Sequence, residues 1–126
     1  MKQLSLIAGL IAAALILSGC PTVQSDAYKT VVAAKAFLDD QKTKHPECAT
    51  GATSQTCTYL KQATSAKDAL IDAGEAYCGG PQFESGGACQ APAKGTPAAQ
   101  QGAAKLQAAL NNYKVTEKDL KGALGQ

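Results

Sequence analysis

The sequence contains no arginine, no tryptophan and one histidine, and aromatic residues make up only 5% of its 126 positions. Without arginine, the planar guanidinium that binds phosphate or carboxylate through paired hydrogen bonds is missing. His45 stands beside Pro46 among lysines, where a solvent-exposed loop histidine is far more common than a catalytic one. Asp39 and Asp40 are adjacent and point to different sides of a helix, so they do not form an acid–base pair. The composition therefore argues against an enzyme.

The charge is nearly balanced, with twelve lysines against ten acidic residues. A field this weak does not attract nucleic acid, so no nucleic-acid partner is expected. The glycine-rich stretch around Phe83 lacks the Gly-Lys-Ser/Thr signature of phosphate-binding loops. The cysteines lack both the C-x-x-C redox spacing and the short spacing of zinc ligands. The sequence thus indicates no cofactor and no metal.

The amino terminus has the layout of a secretion signal. Lys2 precedes an apolar run from Leu4 to Leu17, and two small residues follow. The run is shorter than the roughly 20 apolar residues that a membrane-spanning helix needs. We therefore expect residues 1–19 to be a cleaved signal peptide.

The end of this run, Leu17-Ser18-Gly19-Cys20, resembles the lipobox of bacterial lipoproteins. The resemblance implies that cleavage follows Gly19, that the Cys20 thiol carries a diacylglycerol, and that the new amino terminus is acylated. Two or more acyl chains hold a protein stably in a bilayer. The resemblance implies an envelope location, and Pro21 in place of an aspartate favours the outer membrane where the cell has two.

Beyond the lipobox, the sequence predicts an all-α fold. Residues 20–25 form a polar tether, and residues 26–126 form a helical domain. The first helix runs from Asp26 to Lys44 and ends before His45-Pro46. Its apolar face repeats at helical spacing, at Ala27, Val31, Ala34 and Leu38.

The second helix is expected from Cys57 to Tyr77, with Thr56 as its cap and Gly79-Gly80-Pro81 as its stop. Leu60 and Ile71 widen its seam. The seam follows a heptad-like repeat, at Tyr59, Ala63, Ala66, Leu70, Ala73 and Tyr77.

The third helix starts at Thr96-Pro97. Its apolar face comprises Ala99, Ala103, Leu106, Leu110 and Tyr113. Thr116 and Asp119 resemble a capping box, and Val115 with Leu120 matches a hydrophobic staple. The sequence therefore allows two alternatives. Either the helix breaks near residue 115 and a short fourth helix follows, or one helix continues through this point. The predicted fold is a small antiparallel three-helix bundle in up-down-up order.

Four cysteines remain after Cys20, and an even number in an exported chain indicates disulfides. Cys57 and Cys78 lie at opposite ends of the second helix, roughly 30 Å apart at 1.5 Å per residue. A disulfide needs Cα atoms within about 7 Å. In an antiparallel hairpin, Cys48 lies at the Cys57 end. The pairs that remain are Cys48–Cys57 and Cys78–Cys89.

Together these features predict a non-enzymatic envelope lipoprotein, held in the bilayer by acylated Cys20, that acts as a structural or protein-interaction module with an unidentified envelope protein as its partner. The chain is similar to plasmid entry-exclusion lipoproteins in its size, its lipid anchor and its paired cysteines, but it shares no motif with them. Exclusion-type inhibition and binding of a small apolar ligand between the helices are the alternatives. Phe83, in the flexible loop, is a candidate partner contact, although packing back onto the bundle is the more common role for such a residue.

Overall fold

A computed structural model describes residues 20–84, 89 and 91–126. Across these residues the chain forms three α-helices and no β-strand, so the all-α prediction is confirmed. The proposed signal peptide lies outside the described residues. In chain order the helices are α1 (Cys20–Lys44), α2 (Gln55–Cys78) and α3 (Pro97–Ala123), with short 3-10 helices at Pro46–Thr50 and Pro81–Phe83. No helix in this part of the chain is long and apolar enough to cross a membrane.

Helix α1 begins at Cys20 rather than at Asp26, so the residues expected to form a tether belong to the helix. Pro21 does not prevent this, because the first turn of a helix has no internal partner for its N–H groups. Val23 packs against the core one helical step before Ala27, which continues the apolar face upstream. The predicted face itself is confirmed, since its four members are all buried.

Helix α2 extends slightly beyond its predicted limits at both ends. Ser54, not Thr56, caps its start by accepting a hydrogen bond from the Cys57 N–H at 3.2 Å. Gly79 ends it in the left-handed conformation, with φ of 78°. Four of the six predicted seam residues are buried, as is Leu60, while Tyr59 and Ala73 are half-buried and pack at the side of the buried stripe. The members of this stripe are Cys57, Leu60, Ala63, Ala66, Leu70, Gly74, Tyr77 and Cys78.

Helix α3 is continuous, so the short fourth helix does not form. Thr96 caps it and Pro97 lies in its first turn, as predicted. The Thr116 hydroxyl donates to the Tyr113 carbonyl at 2.8 Å instead of capping a new helix. Val115 is 58% exposed and makes no staple.

Contacts between helix ends define the order of the bundle. Gly102, near the start of α3, lies against the Tyr77 ring at the end of α2, so these two helices are antiparallel. The Lys121 ammonium lies 5.3 Å from the centre of the Phe37 ring, which brings together the carboxyl-terminal parts of α3 and α1. The chain therefore runs up, down and up, as predicted.

Candidate binding groove

Both predicted disulfides are present. The Cα atoms of Cys48 and Cys57 are 5.1 Å apart, and those of Cys78 and Cys89 are 4.5 Å apart. One disulfide therefore braces each end of α2. Cys20, the proposed lipid attachment site, is the first residue of α1, and its side chain lies outside the described part of the structure.

Phe83 packs back onto the bundle, with only 2% of its surface exposed. Its ring meets the Tyr28 ring edge to face, with centroids 6.3 Å apart and planes at 82°. On the other side the ring lies directly on Gly74, where the absence of a Cβ leaves room for it. Phe83 is therefore a core residue in this conformation and offers no open contact surface.

A carboxyl pair lies next to this aromatic contact. The Lys35 ammonium donates to Glu84 Oε1 at 2.7 Å and links α1 to the chain beyond α2. This hydrogen bond lowers the pKa of Glu84, while a hydrogen bond with Glu84 raises the pKa of Glu75. The cluster is solvent-exposed and ties two elements together. Nothing in the sequence pattern indicated it.

Helix α3 contains the one side-chain polar atom in the described residues that is buried without a hydrogen-bond partner, the Tyr113 hydroxyl. Burial raises the pKa of Tyr113 well above its usual value, and the nearby Glu117 carboxylate adds to the shift. Glu117 also forms an ion pair with Lys121 at 2.6 Å. The hydroxyl is therefore buried beside a carboxylate that is itself paired.

An opening lies where α1 passes to α2. After Lys44 the chain turns through the 3-10 helix Pro46–Thr50, which Gly51 ends in the left-handed conformation, with φ of 88°. The Cys48–Cys57 disulfide holds this turn against the first turn of α2. Between the turn and the two helices lies an open groove of about 750 Å³.

The groove has an apolar base and polar sides. The accessible apolar surface comes from Ala49 and Ala52, which are exposed, and from the half-buried Cys48, whereas Leu60 is only 3% exposed. The remaining lining residues carry hydroxyl, charged or imidazole groups or are glycine. They are Lys42, His45, Gly51, Thr53, Thr58, Lys61, Thr64, Ser65 and Asp68.

The positive charges on the groove are uncompensated. Within the described residues neither Lys42 nor Lys61 forms an ion pair, whereas the carboxylate of Asp68 is paired with Lys67 at 3.0 Å. His45 meets Glu47 through its Nδ1 atom at 3.1 Å. The groove therefore presents two free ammonium groups beside hydroxyl donors.

The donor atoms of Glu47, Cys48 and Cys57 lie within 4.8 Å of one another near the groove. Both sulfur atoms are disulfide-bonded, so they cannot act as the thiolate ligands that a soft metal ion requires. The groove can therefore form hydrogen bonds and ion pairs through its polar residues and apolar contacts through its alanines.

Sequence reasoning placed the disulfide at the groove but missed the groove itself. Lys42, Lys61 and Thr58 belong to no motif and are not distinguished by sequence from ordinary surface residues of a helix. The stretch from Glu47 to Thr56 has the composition of a polar loop, and its small and hydroxyl-bearing residues are the only sequence signal near the groove.

Comparison with known proteins gives no relative for this chain. No protein-family model, no curated protein and no solved structure matches it.

Proposed function

We propose that this chain is a lipid-anchored, non-enzymatic protein of the bacterial envelope that binds a protein partner through the groove. The observation that carries the proposal is the relation between Cys20 and the groove. Helix α1 begins at Cys20, and the groove lies at its other end. Over 25 residues an α-helix spans about 37 Å. An acylated Cys20 would thus place the groove well clear of the lipid headgroups.

The groove favours a polar partner over a small apolar ligand between the helices. It is open to solvent and carries lysine and hydroxyl groups, whereas sites for apolar ligands are usually enclosed. Exclusion-type inhibition differs from the leading proposal only in the origin of the partner. Identification of the partner therefore tests both.

Site-specific photo-crosslinking in intact cells tests the groove as the binding site. A photoreactive amino acid replaces Thr58, which is exposed on the groove wall, and the matched control replaces Ala108, which is exposed on α3. We expect an adduct with one envelope protein from position 58 and none from position 108. Adducts from neither position, or equal adducts from both, would contradict the proposal.

The anchor is tested separately by Cys20→Ala. We expect this variant to be uncleaved or soluble and in either case to lack bound fatty acid, because the acylated thiol and the acylated amino terminus both belong to Cys20. Cys48→Ala/Cys57→Ala serves as the control, since it also removes cysteines but keeps the lipobox. Undiminished acylation of the Cys20→Ala protein would refute the anchoring proposal.

A further inference from the structure

We infer that the segment bound in the groove is an extended acidic peptide of about five residues. This inference rests on the proposed function and names the chemistry of the partner. It is argued from the length of the groove, its unpaired charges, its apolar base and its distance from Cys20.

The length of the groove follows from the residues of α2 that line it. Thr58, Lys61, Ser65 and Asp68 are spaced by three or four residues and form one stripe along the helix. From Cys57 to Asp68 an α-helix rises about 16 Å. An extended chain advances about 3.3 Å per residue, so roughly five residues cover this distance.

The charge of the occupant follows from the two unpaired lysines. Lys61 belongs to the α2 stripe, and Lys42 stands on the last turns of α1. Neither has an acidic partner in the described part of the chain, so a carboxylate that approaches either lysine breaks no existing ion pair. Asp68, at the far end of the stripe, disfavours a further acid there.

The apolar base of the groove favours a peptide over a simple anion. The apolar surface open to an occupant comes from Ala49 and Ala52, which are exposed, because Leu60 and Cys57 are buried. In an extended peptide alternate side chains face opposite sides, so small apolar residues face the base while acidic residues meet the lysines. A lipid headgroup is disfavoured because the groove lies about 37 Å along α1 from Cys20.

The test measures binding of defined probes to the full protein isolated in detergent. The probes are the end-blocked pentapeptide Ala-Glu-Ala-Glu-Ala, its counterpart Ala-Lys-Ala-Lys-Ala, and a soluble anionic polysaccharide, each labelled for fluorescence anisotropy. The groove variant is Lys42→Glu/Lys61→Glu. Its control, Lys29→Glu/Lys105→Glu, makes the same change in net charge at exposed positions outside the groove.

We expect the acidic peptide to bind the unaltered protein and the control about equally, and the groove variant at least about tenfold more weakly. The groove variant should prefer the lysine peptide, and added salt should weaken every one of these interactions. No binding of the acidic peptide, equal binding by all three proteins, or binding of the polysaccharide alone would overturn the inference. An adduct from position 58 would still stand in that case, so failure here is distinguishable from failure of the proposed function.

Discussion

Replacement of Gly74 by alanine gives the sharpest test of how the aromatic contact at the end of α2 is built. In an ordinary helix interior, this change stabilises a protein by about 1 kcal/mol, because alanine has the higher helix propensity. At position 74 an added Cβ would overlap the Phe83 ring, which is itself 2% exposed. Overpacking of this kind costs about 1–3 kcal/mol. A ring displaced into water forfeits a burial energy of about 1.5–3 kcal/mol.

We therefore expect Gly74→Ala to lower the free energy of unfolding by about 1–2 kcal/mol and the Tm by about 5–10 °C. The assay is urea and thermal unfolding followed by far-UV circular dichroism. The matched control is Gly122→Ala in α3, where an added Cβ meets nothing within 4 Å. That control should stabilise the protein by about 0.5–1 kcal/mol.

A double-mutant cycle assigns the effect to the ring. In a Phe83→Ala background the obstacle is gone, so adding Gly74→Ala should stabilise rather than destabilise. The coupling free energy between the two positions should then be about 2–3 kcal/mol. If Gly74→Ala stabilises the protein as much as Gly122→Ala does, the ring is not held against α2 and the reasoning fails.

Three further predictions concern stability. Cys78→Ser/Cys89→Ser should lower the free energy of unfolding by about 2–3 kcal/mol, because the unfolded chain gains entropy when the disulfide is removed. An unchanged thermal melt would show that packing alone holds the chain between positions 78 and 89. Tyr113→Phe should be neutral or stabilise by up to about 1 kcal/mol in urea unfolding, because it removes a buried hydroxyl without a partner, and a clear loss would reveal an unrecognised hydrogen bond. Glu75→Gln should stabilise the protein at pH 7, because the raised pKa of Glu75 means that its charged form disfavours the fold. That gain should disappear as the pH falls through the raised pKa of Glu75, and a gain that persists in acid would exclude repulsion from Glu84 as its cause.

The disulfide pairing was predictable because it depends on one long helix and one distance limit. Placing Cys57 and Cys78 at opposite ends of α2 eliminated one alternative pairing, and the antiparallel hairpin, which puts Cys48 at the Cys57 end, eliminated the other. The apolar face of α1 was predictable for a similar reason, since Ala27 and Leu38 belong to one local repeat.

The members of the buried α2 stripe were only partly predictable from its own repeat. The predicted seam included Tyr59 and Ala73, which are half-buried, and left out Gly74, which is buried. Helix α2 packs against both α1 and α3, so the direction of its buried face depends on two neighbours that its own periodicity does not describe.

The groove escaped prediction for a different reason. It depends on a five-residue 3-10 turn and on the left-handed conformation of Gly51, and neither has a periodic signature. Lys42 and Lys61 are far apart in sequence and meet the same groove only because the turn brings α1 and α2 together. The start of α1 was missed because a polar composition with Pro21 resembles a linker when only sequence is considered.

The placement of the Cys48–Cys57 disulfide has a mechanical consequence. A pulling force between an acylated Cys20 and a partner in the groove would act along the axis of α1 and cross to α2 through this covalent bond. The extensive packing of α2 on α3 lies outside that route and would carry little of the load. Helix α1 also packs on α2 and α3, so its own hydrogen bonds and this packing would share the load. Reduction of the disulfide would move the load onto the chain between Pro46 and Ser54.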